Sequence, residues 1–491
     1  MVRSTFFDLG FLLGGAATVS AGNLLPRNIF SEDCQEIATA ISPASQVFGA
    51  PSLQYSKDIY HWASSSTQNA ACSFEPGVAE DVGIALQILG KTKTPFAVKG
   101  GGHATNPGFS STEGVQIAMY RFSEVVYDPA AQTASIGAGL NWDDVYAALE
   151  PHGVNVVGGR VTGVGVAGFT LGGGYSWLTN QYGLTIDTVQ AFELVMPNGT
   201  VTNVTETSSP DLFFALRGGF NNFGIVTKFT LKTFPQTQVW GGVIMFTANT
   251  LDQVNSATAN FATYNSDPKA SMIVTYNFLL GEPGATVIIF YDAPQPPPGL
   301  FADFLAIPFL TKDISTRSFL SLVQSSPANA TAGQRTTFNT VSVTGYPISL
   351  LESIVNESVY WGEALALASA DFISYDVEPF LPTLFNYSST PSAYPASRSQ
   401  PLLPLNIIFS WTLPTSDEYV QDAIRTSANT LRAKAIVGGQ TEIQDATVYG
   451  NYAIFDTPVE NIYGDNLGRL QSIKAAVDPD DVMGLAGGFK V

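Results

Sequence analysis

The apolar and polar residues of the first 235 positions switch between a helical and a strand-like period. In Ala79–Leu89 the apolar side chains recur at i, i+3, i+4 and i+7, and Glu80 and Asp81 occupy the first turn, where the helix dipole favours acids. Apolar and polar residues alternate in Ile225–Thr233, which predicts a half-buried strand. The other elements predicted here are helices at Cys34–Ala50 and after the cap Asn141, strands at Phe96–Val98, Val115–Met119 and Thr133–Ile136, and a hairpin that joins Ala191–Val195 to Val201–Val204 through an Asn-Gly turn.

The chain changes composition near Pro235, and strand-like runs dominate after it. Strands with interspersed helices predict a separate substrate domain, residues 236–435, in which an antiparallel β-sheet is covered by helices on one face. The mixture of helices and strands predicts an α+β fold class. A chain of 491 residues is too long for one core, so two or three domains are expected. The predicted strands are Val239–Phe246, Met272–Phe278, Val287–Tyr291 and Leu405–Leu413, and the predicted helices are Glu418–Ala435 and, in a C-terminal segment over residues 436–491, Leu467–Val477.

Two glycine-rich stretches stand out in the N-terminal part. In the first, Gly100–Gly102 precede His103, which is one of only three histidines in the chain. The second stretch covers Gly158–Gly174. Without side chains in the way, backbone N–H groups can turn inward and cradle an anion such as a pyrophosphate, and Lys99 would add positive charge beside them. The alternative is a tight loop that only turns the chain.

Charge narrows the classes of partner. The chain has 41 acidic and 22 basic residues, a net charge of −19, which argues against binding to nucleic acid or anionic membranes because that affinity comes from Lys and Arg. Clustered His and Cys residues are absent from the sequence, so we predict no metal site. The expected partner is a small molecule, and the expected assembly is a monomer.

The N-terminus has the features of a secretory signal peptide over residues 1–21. Arg3 supplies the charged start, Phe6–Ala17 is mostly apolar, and Val19-Ser-Ala21 fits the cleavage pattern. Cys34 and Cys72 are the only cysteines, and an oxidising compartment predicts a disulfide between them, with two free buried thiols as the alternative. Five glycosylation sequons agree with secretion, at Asn198, Asn203, Asn329, Asn356 and Asn386.

Taken together, the motifs resemble the berberine-bridge-enzyme-like flavoprotein oxidases, which have a two-part, vanillyl-alcohol-oxidase (PCMH) type FAD-binding domain. The resemblance runs from about residue 55 to about residue 233 and resumes at the C-terminus. It implies an FAD-binding domain over residues 30–235, to which the C-terminal segment returns. The matching motifs are Val98–His103, Gly158–Arg160, Val164–Val166, Leu171–Gly174, Tyr182–Leu184, Leu216–Gly219, Asn222–Val226 and Tyr449–Asn451.

The resemblance also implies how the cofactor is held. It identifies His103 as the residue joined covalently to a ring methyl of the flavin. Val161 stands where some members have a cysteine that forms a second flavin bond, so a bicovalent flavin is excluded, and Val164 stands at the family's oxygen-access gate, where valine accompanies reaction with dioxygen. The implied FAD-binding residues are Lys99, Gly100, Gly101, Gly102, His103, Ala104, Gly159, Thr162, Gly163, Val164, Gly168, Gly224, Val226 and Asn451.

For catalysis, the resemblance makes the tyrosine of the Tyr-X-Asn motif, Tyr449, the first candidate for the base that takes a proton from the substrate, and Tyr175 the second. The leading hypothesis is a secreted, FAD-linked oxidase that acts on an alcohol, a sugar or a similar C–H donor and gives hydrogen peroxide. A tailoring oxidase of secondary metabolism, catalysing oxidative cyclisation or dehydrogenation, is the enzymatic alternative. A secreted flavin- or glycan-binding protein without turnover is the alternative from another class.

Overall fold

The computed structural model of the protein describes residues 30–327 and 331–491. The predicted signal peptide and the sequon at Asn329 lie outside the described residues. Within the described ranges, no helix is both long enough and apolar enough to cross a membrane.

The N-terminal domain is built from short helices and three β-sheets. Its described elements, in chain order, are α1 (Ser31–Ala40), β1 (Gln46–Phe48), α2 (Leu53–Ile59), β2 (Cys72–Glu75), α3 (Ala79–Thr92), β3 (Phe96–Lys99), β4 (Val115–Ala118), β5 (Val125–Asp128), β6 (Thr133–Gly137), α4 (Trp142–Leu149), β7 (Val154–Asn155), α5 (Val166–Leu171), α6 (Thr179–Tyr182), α7 (Thr185–Thr188), β8 (Val189–Val195), β9 (Val201–Val204), α8 (Pro210–Leu216), β10 (Ile225–Lys232) and β11 (Phe234–Pro235).

The first sheet has the order β1-β2-β4-β3, and β2 and β3 both run parallel to β4. Helix α3 connects β2 to β3 and buries Val82, Leu86 and Leu89, as its apolar period predicts. Because α3 ends at a residue in the left-handed conformation, the chain turns sharply into β3. Strand β3 then leads directly into the first glycine stretch.

The helix predicted at Cys34–Ala50 is wrong in its second half. Helix α1 ends at Ala40, and the following residues turn into β1. The carboxylate of Asp81 explains the turn, because it accepts hydrogen bonds from Ser42 N at 3.0 Å and from Ser45 Oγ at 2.6 Å. A disulfide between Cys34 and Cys72 ties α1 to β2.

The second sheet is antiparallel, in the order β5-β6-β10-β8-β9. It contains the predicted hairpin, β8 and β9, whose Asn-Gly turn places Gly199 at φ +88°. In β10 the side chains of Phe229 and Leu231 are buried and that of Lys232 is exposed, as the alternation predicts. The third sheet is the short pair β7 and β11.

The central domain and the C-terminal segment follow Pro235. Their described elements are β12 (Val239–Thr247), α9 (Leu251–Tyr264), β13 (Ala270–Leu279), β14 (Glu282–Tyr291), α10 (Ala302–Ala306), β15 (Thr311–Arg317), α11 (Phe319–Gln324), β16 (Arg335–Val343), α12 (Ile348–Ala364), β17 (Ala370–Val377), β18 (Leu403–Trp411), α13 (Asp417–Val437), α14 (Glu460–Tyr463) and α15 (Leu467–Val477).

The central domain is a seven-stranded antiparallel sheet in the order β15-β12-β14-β13-β17-β18-β16. Helices α9, α12 and α13 pack on one face, so a sheet covered by helices on one side is confirmed. Strand β13 shows how the two faces differ: Met272, Val274, Tyr276 and Phe278 join the core beneath the helices. The alternate residues of the strand point to the opposite face, towards the N-terminal domain.

Two irregular segments tie the central domain and the C-terminus to the N-terminal domain. Between β17 and β18, Arg398 forms an ion pair of 2.6 Å with the buried carboxylate of Asp187. Near the C-terminus, Ala486 forms a bridge with Phe96 of β3, and Asn222 Nδ2 donates to the carbonyl of Phe489 at 2.9 Å. The C-terminal segment therefore lies beside the strand that leads into the first glycine stretch.

Candidate active site

A cavity of about 850 Å³ lies between the glycine stretches and the free face of the seven-stranded sheet, and the C-terminal segment lines a third side. It brings together residues that are far apart in the sequence, including both tyrosines predicted to be catalytic. The predicted site residues that line it are Gly100, Gly101, Gly102, His103, Ala104, Val164, Gly168, Tyr175, Gly224, Val226, Tyr449 and Asn451.

The two glycine stretches cross at Gly101. A Cβ added there would lie 2.5 Å from Gly165 Cα, and the next residue, Gly102, has a φ of +71°. A larger side chain at either position would push the stretches apart or strain the backbone. The glycines are therefore needed to bring two backbone segments together at the cavity wall, which a simple turn would not require.

His103 lies at the end of this crossing, with its Nε2 atom buried and without a hydrogen-bond partner among the described residues. Its ring stacks on Trp62, with the ring centroids 4.5 Å apart. Burial lowers the pKa of His103 from 6.5 to about 4, so the imidazole is neutral at physiological pH. A neutral imidazole, fixed by stacking and facing a cavity, has a lone pair available for a covalent or coordinate bond.

Lys99 does not lie where the sequence predicted it. Its Nζ atom points away from the cavity and donates to the carbonyl of Lys57 at 3.0 Å and to Tyr120 Oη at 2.8 Å. Burial, with a smaller contribution from Lys57, lowers the pKa of Lys99 to about 8, while Asp58 acts in the opposite direction. The lysine supports the loop from below, because a Cβ on Gly102 would lie 2.5 Å from Lys99 Cε.

Gly159, Thr162 and Gly163 are likewise absent from the cavity lining. The carbonyl of Gly159 accepts a hydrogen bond of 2.7 Å from Tyr146 Oη. The side chain of Asp143 accepts from Thr162 Oγ1 at 2.7 Å and from Gly163 N at 2.9 Å. These three residues shape the loop from behind, whereas its neighbours Val161 and Val164 face the cavity.

Tyr449 is buried in the cavity wall, and two donors point at its phenol oxygen. Gly174 N donates at 3.1 Å and Asn451 Nδ2 at 2.8 Å. Burial raises the pKa of Tyr449 to about 12, while these two hydrogen bonds and the charge of Arg160 act against the increase. The Tyr-X-Asn motif and the second glycine stretch therefore form one hydrogen-bonded unit that stabilises negative charge on this oxygen.

Tyr175, the second predicted candidate, lines the same wall but has a different partner. Its hydroxyl lies 2.8 Å from that of Tyr394, and burial raises its pKa well above the ordinary value. The rings of Tyr175 and Tyr449 meet edge to face, 4.8 Å apart. Two phenols that hydrogen-bond to each other are poorly placed to accept a substrate proton, so the geometry favours Tyr449 over Tyr175.

A buried ion pair joins the second glycine stretch to the sheet, and the sequence analysis did not identify it as part of the site. Arg160 contacts Glu378 with both NH groups at 2.8 Å, and Tyr452 Oη donates to the same carboxylate at 3.0 Å. Arg160 is 6% exposed and Glu378 is 1% exposed. Arg160 belongs to the quoted glycine motif, and an arginine so close to a predicted ligand loop was the available signal.

Asp376 is a second cavity-lining carboxylate that the sequence analysis missed. It lies two residues before Glu378 and therefore on the same face of the sheet. Thr275 Oγ1 donates to it at 2.8 Å and Asn406 Nδ2 at 3.1 Å. Burial raises the pKa of Asp376 from 3.8 to about 6, with Glu378 adding to the increase and the hydrogen bonds and Arg160 opposing it.

Two models of known protein families match segments of the chain that carry the cavity-lining residues. A family model described as an FAD binding domain matches residues 70–205, which include both glycine stretches. A second, described as berberine and berberine like, matches residues 448–486, which include Tyr449 and Asn451.

Among curated relatives, the FAD-dependent monooxygenase drtC of Aspergillus calidoustus is 31% identical over 471 residues, covering 91% of this chain and 88% of that protein. An uncharacterized FAD-linked oxidoreductase of Arthroderma benhamiae is 35% identical over 387 residues, covering 74% of this chain and 75% of that protein. Among solved structures, the chain is similar to glucooligosaccharide oxidase from Acremonium strictum, which has a 6-S-cysteinyl, 8α-N1-histidyl FAD. The TM-score is 0.73 and the sequence identity is 18%, and the match covers 92% of this chain and 97% of that chain. At this identity the structural match shows the fold.

Proposed function

The chain belongs to the berberine-bridge-enzyme-like FAD-linked oxidoreductases with a PCMH-type FAD-binding domain, and from that premise we propose that it is a secreted oxidase that removes hydride from an alcohol, a sugar or a similar C–H donor and reduces dioxygen to hydrogen peroxide. The observation that carries the proposal is the convergence of His103, Tyr449 and the carboxylates Asp376 and Glu378 on one cavity. The alternative within the same class is a tailoring oxidase of secondary metabolism, because drtC and other curated relatives are named FAD-dependent monooxygenases.

The residues at the cavity fit FAD. The crossing at Gly101 leaves backbone without side chains along the wall, and the unpartnered Nε2 of His103 marks, within the described part of the chain, a side chain with unused bonding capacity. We propose that His103 carries the flavin covalently and that Gly100–Ala104, Gly168, Gly224 and Val226 contact it. FAD, when bound, accepts the hydride from carbon and passes the two electrons to dioxygen.

Tyr449 is proposed to take the hydroxyl proton as the C–H bond breaks and the C=O bond forms. Its oxygen accepts two hydrogen bonds, so the negative charge of the phenolate that takes the proton is stabilised without reorganisation. Since burial raises its pKa to about 12, the phenolate form that accepts a proton becomes more populated as the pH rises.

The first experiment measures hydrogen peroxide release from the purified protein with a panel of sugars, alcohols and aromatic metabolites, followed by anaerobic flavin reduction with the best substrate. Tyr449→Phe should slow reduction by a factor of about 10² to 10⁴, and the increase of the reduction rate with pH should disappear. Tyr463→Phe is the matched control, because Tyr463 is a buried tyrosine outside the cavity lining whose hydroxyl lacks a hydrogen-bond partner among the described residues. Equal rates in the wild type and Tyr449→Phe would exclude Tyr449 as the base.

The covalent link is tested separately. The protein should remain yellow after acid precipitation, and His103→Ala should release its flavin into the supernatant. His152→Ala is the control, because His152 is exposed and lies outside the cavity lining. Flavin that stays attached in His103→Ala would remove His103 from this role.

Val164 is proposed to leave dioxygen room at the flavin, as the family resemblance implies. It lines the cavity together with Val161, so the pair offers a matched comparison within one loop. Val164→Leu should slow reoxidation of the reduced enzyme by dioxygen, whereas Val161→Leu should leave this step unchanged. Equal reoxidation rates in both variants would assign dioxygen access to another position.

Secretion is supported by the sequence of residues 1–21 and by the exposure of the described sequons. The asparagines at Asn198, Asn203, Asn356 and Asn386 are all exposed, so each side chain is accessible to a glycan. Expression of the full chain in a eukaryotic host should place glycosylated protein in the medium, and removal of N-glycans should lower its mass on a gel. Retention inside the cell would contradict this part of the proposal.

A further inference from the structure

We infer that the sheet side of the cavity selects a mostly apolar substrate that carries a hydrogen-bond-donating head group. An ammonium head group is preferred over a hydroxyl, and both are preferred over a carboxylate. The inference rests on the proposed function, because it concerns the substrate of the same cavity. We call the residues that carry it the acceptor wall. Asp376 and Asn406 lie at its end nearer Glu378, and Gln334 and Asp371 lie at its other end.

The acceptor wall presents oxygens because its own donors are already used. Asn406 Nδ2 donates to Asp376, and Gln334 Nε2 donates to Asp371 at 2.9 Å. Three side-chain oxygens of the acceptor wall are buried and have no hydrogen-bond partner in the described ranges of the chain, and they are Asn406 Oδ1, Gln334 Oε1 and Asp371 Oδ1. Asn406 is only 4% exposed, so bulk water does not satisfy its oxygen. A ligand that completes these hydrogen bonds must supply donors.

The charges of the cavity lining point in the same direction. Its described acidic residues are Glu282, Asp371, Asp376 and Glu378, and the one arginine among the described lining residues, Arg160, is already paired with Glu378. Lysine does not occur among these residues, and His103 is neutral. A carboxylate or phosphate placed beside this wall would meet uncompensated negative charge, whereas a cation would be attracted.

The far end of the same cavity, which includes Asp371, also has apolar side chains, and Leu280 N donates to the carbonyl of Asp371 at 3.2 Å. Leu279, Leu280 and Leu310 line it, although they are 47%, 81% and 64% exposed. Strand register places Thr275 opposite Asp376 and Leu279 opposite Phe372, four residues further along both strands. Four residues of extended strand span about 13 Å, so Leu279 lies about that far from Asp376 along the sheet. Exposed leucines at the mouth of a cavity indicate that the outer part of the ligand is apolar.

The test is a binding measurement that needs no turnover. Isothermal titration calorimetry of the flavin-loaded full chain with 2-naphthylmethylamine, 2-naphthylmethanol and 2-naphthoate compares three head groups on one ring system. We expect the amine to bind most tightly and the carboxylate most weakly, with about 10- to 100-fold between them. Carboxylate binding as tight as that of the alcohol, or tighter, would overturn the inference. Failure of the proposed oxidase activity would leave this affinity order measurable.

Asp376→Asn keeps the size of the side chain and removes its charge. It should reduce amine affinity by about tenfold and leave alcohol affinity within about threefold. Asp252→Asn makes the same charge change at an exposed position of α9 in the same domain and should alter neither. An amine affinity that is equal in the wild type and Asp376→Asn would contradict the role of this carboxylate.

Leu280→Ser tests the apolar end independently, at a position too exposed to affect folding. It should weaken the naphthyl amine several-fold and leave benzylamine, which is too short to reach the mouth, unchanged. Equal effects on the two amines, or none on either, would contradict an apolar ligand segment at the leucines.

Discussion

The carboxylate of Asp376 should destabilise the folded protein at neutral pH, and Asp376→Asn should restore the lost stability. The pKa of Asp376 is raised from 3.8 to about 6, mainly by burial. One pKa unit corresponds to about 1.4 kcal/mol, so a shift of about two units sets an upper value of about 3 kcal/mol. Water in the cavity screens part of this cost, and we expect about 1–3 kcal/mol.

The sign follows from the direction of the shift. Because the folded protein holds the proton of Asp376 more tightly than the unfolded chain, its contribution is fully present below pH 3.8 and is lost as the pH rises through about 6. The amide that replaces this carboxyl group in Asp376→Asn would not titrate. The amide oxygen can accept from Asn406 and the amide nitrogen can donate to Thr275 Oγ1, so the local hydrogen bonds survive the substitution.

Urea unfolding followed by tryptophan fluorescence, at about pH 4 and about pH 8, measures this effect. The stability of Asp376→Asn relative to the wild type should increase by about 1–3 kcal/mol between the two pH values. Asp58 and Asp371 also have raised pKa values, but they are present in both proteins and cancel in the comparison. An equal pH dependence of the two proteins would refute an ionised, uncompensated Asp376.

Three further predictions concern stability and flavin loading. Replacing both Cys34 and Cys72 with Ser should lower the free energy of unfolding by about 4 kcal/mol, measured by urea titration, because a bridge across 38 positions is lost. Lys99→Met should keep the wild-type flavin-to-protein absorbance ratio, because Nζ points away from the cavity. Arg160→Met should lower the free energy of unfolding, measured by urea titration, by about 3–5 kcal/mol, because Glu378 is left buried without its partner. Adding Glu378→Leu should recover most of this loss, because it removes the unpaired carboxylate.

The local features of the fold and of the site could be predicted from the sequence. Helix α3 and strand β10 follow from a short apolar period whose burial the structure reproduces. The glycines before His103 follow from a backbone requirement, because the approach of Gly101 to Gly165 leaves no room for a side chain. For α3 and β10 the signal and its cause lie within one continuous stretch of chain, whereas the cause at Gly101 lies in the second glycine stretch, at Gly165.

The failures have a common cause, which is long-range placement. The sequence predicts Lys99 at the cavity because it adjoins Gly100, but hydrogen bonds to Tyr120 and to the carbonyl of Lys57 direct its side chain away from the cavity. Asp376 lies on β17 and Glu378 directly follows it, and the sequence does not predict this strand. The register of β17 with β13 and β18 determines which of its residues face the cavity. Periodicity gives two faces of a strand without indicating which one a ligand contacts.

The two carboxylates at the end of β17 have different partners. Glu378 and Asp376 face the same cavity two residues apart, but only Glu378 forms an ion pair with Arg160, on the loop that carries Val161 and Val164. That ion pair joins the sheet to the second glycine stretch, and so fixes the acceptor wall relative to the loop that carries Arg160. The hydrogen-bond donors to Asp376 are neutral, so its charge stays available to a ligand. If Asp376 binds the substrate as proposed, the ion pair of Arg160 with Glu378 positions that substrate by joining the end of β17 to the second glycine stretch. Displacing Glu378 should then disturb substrate orientation even where Asp376 is intact.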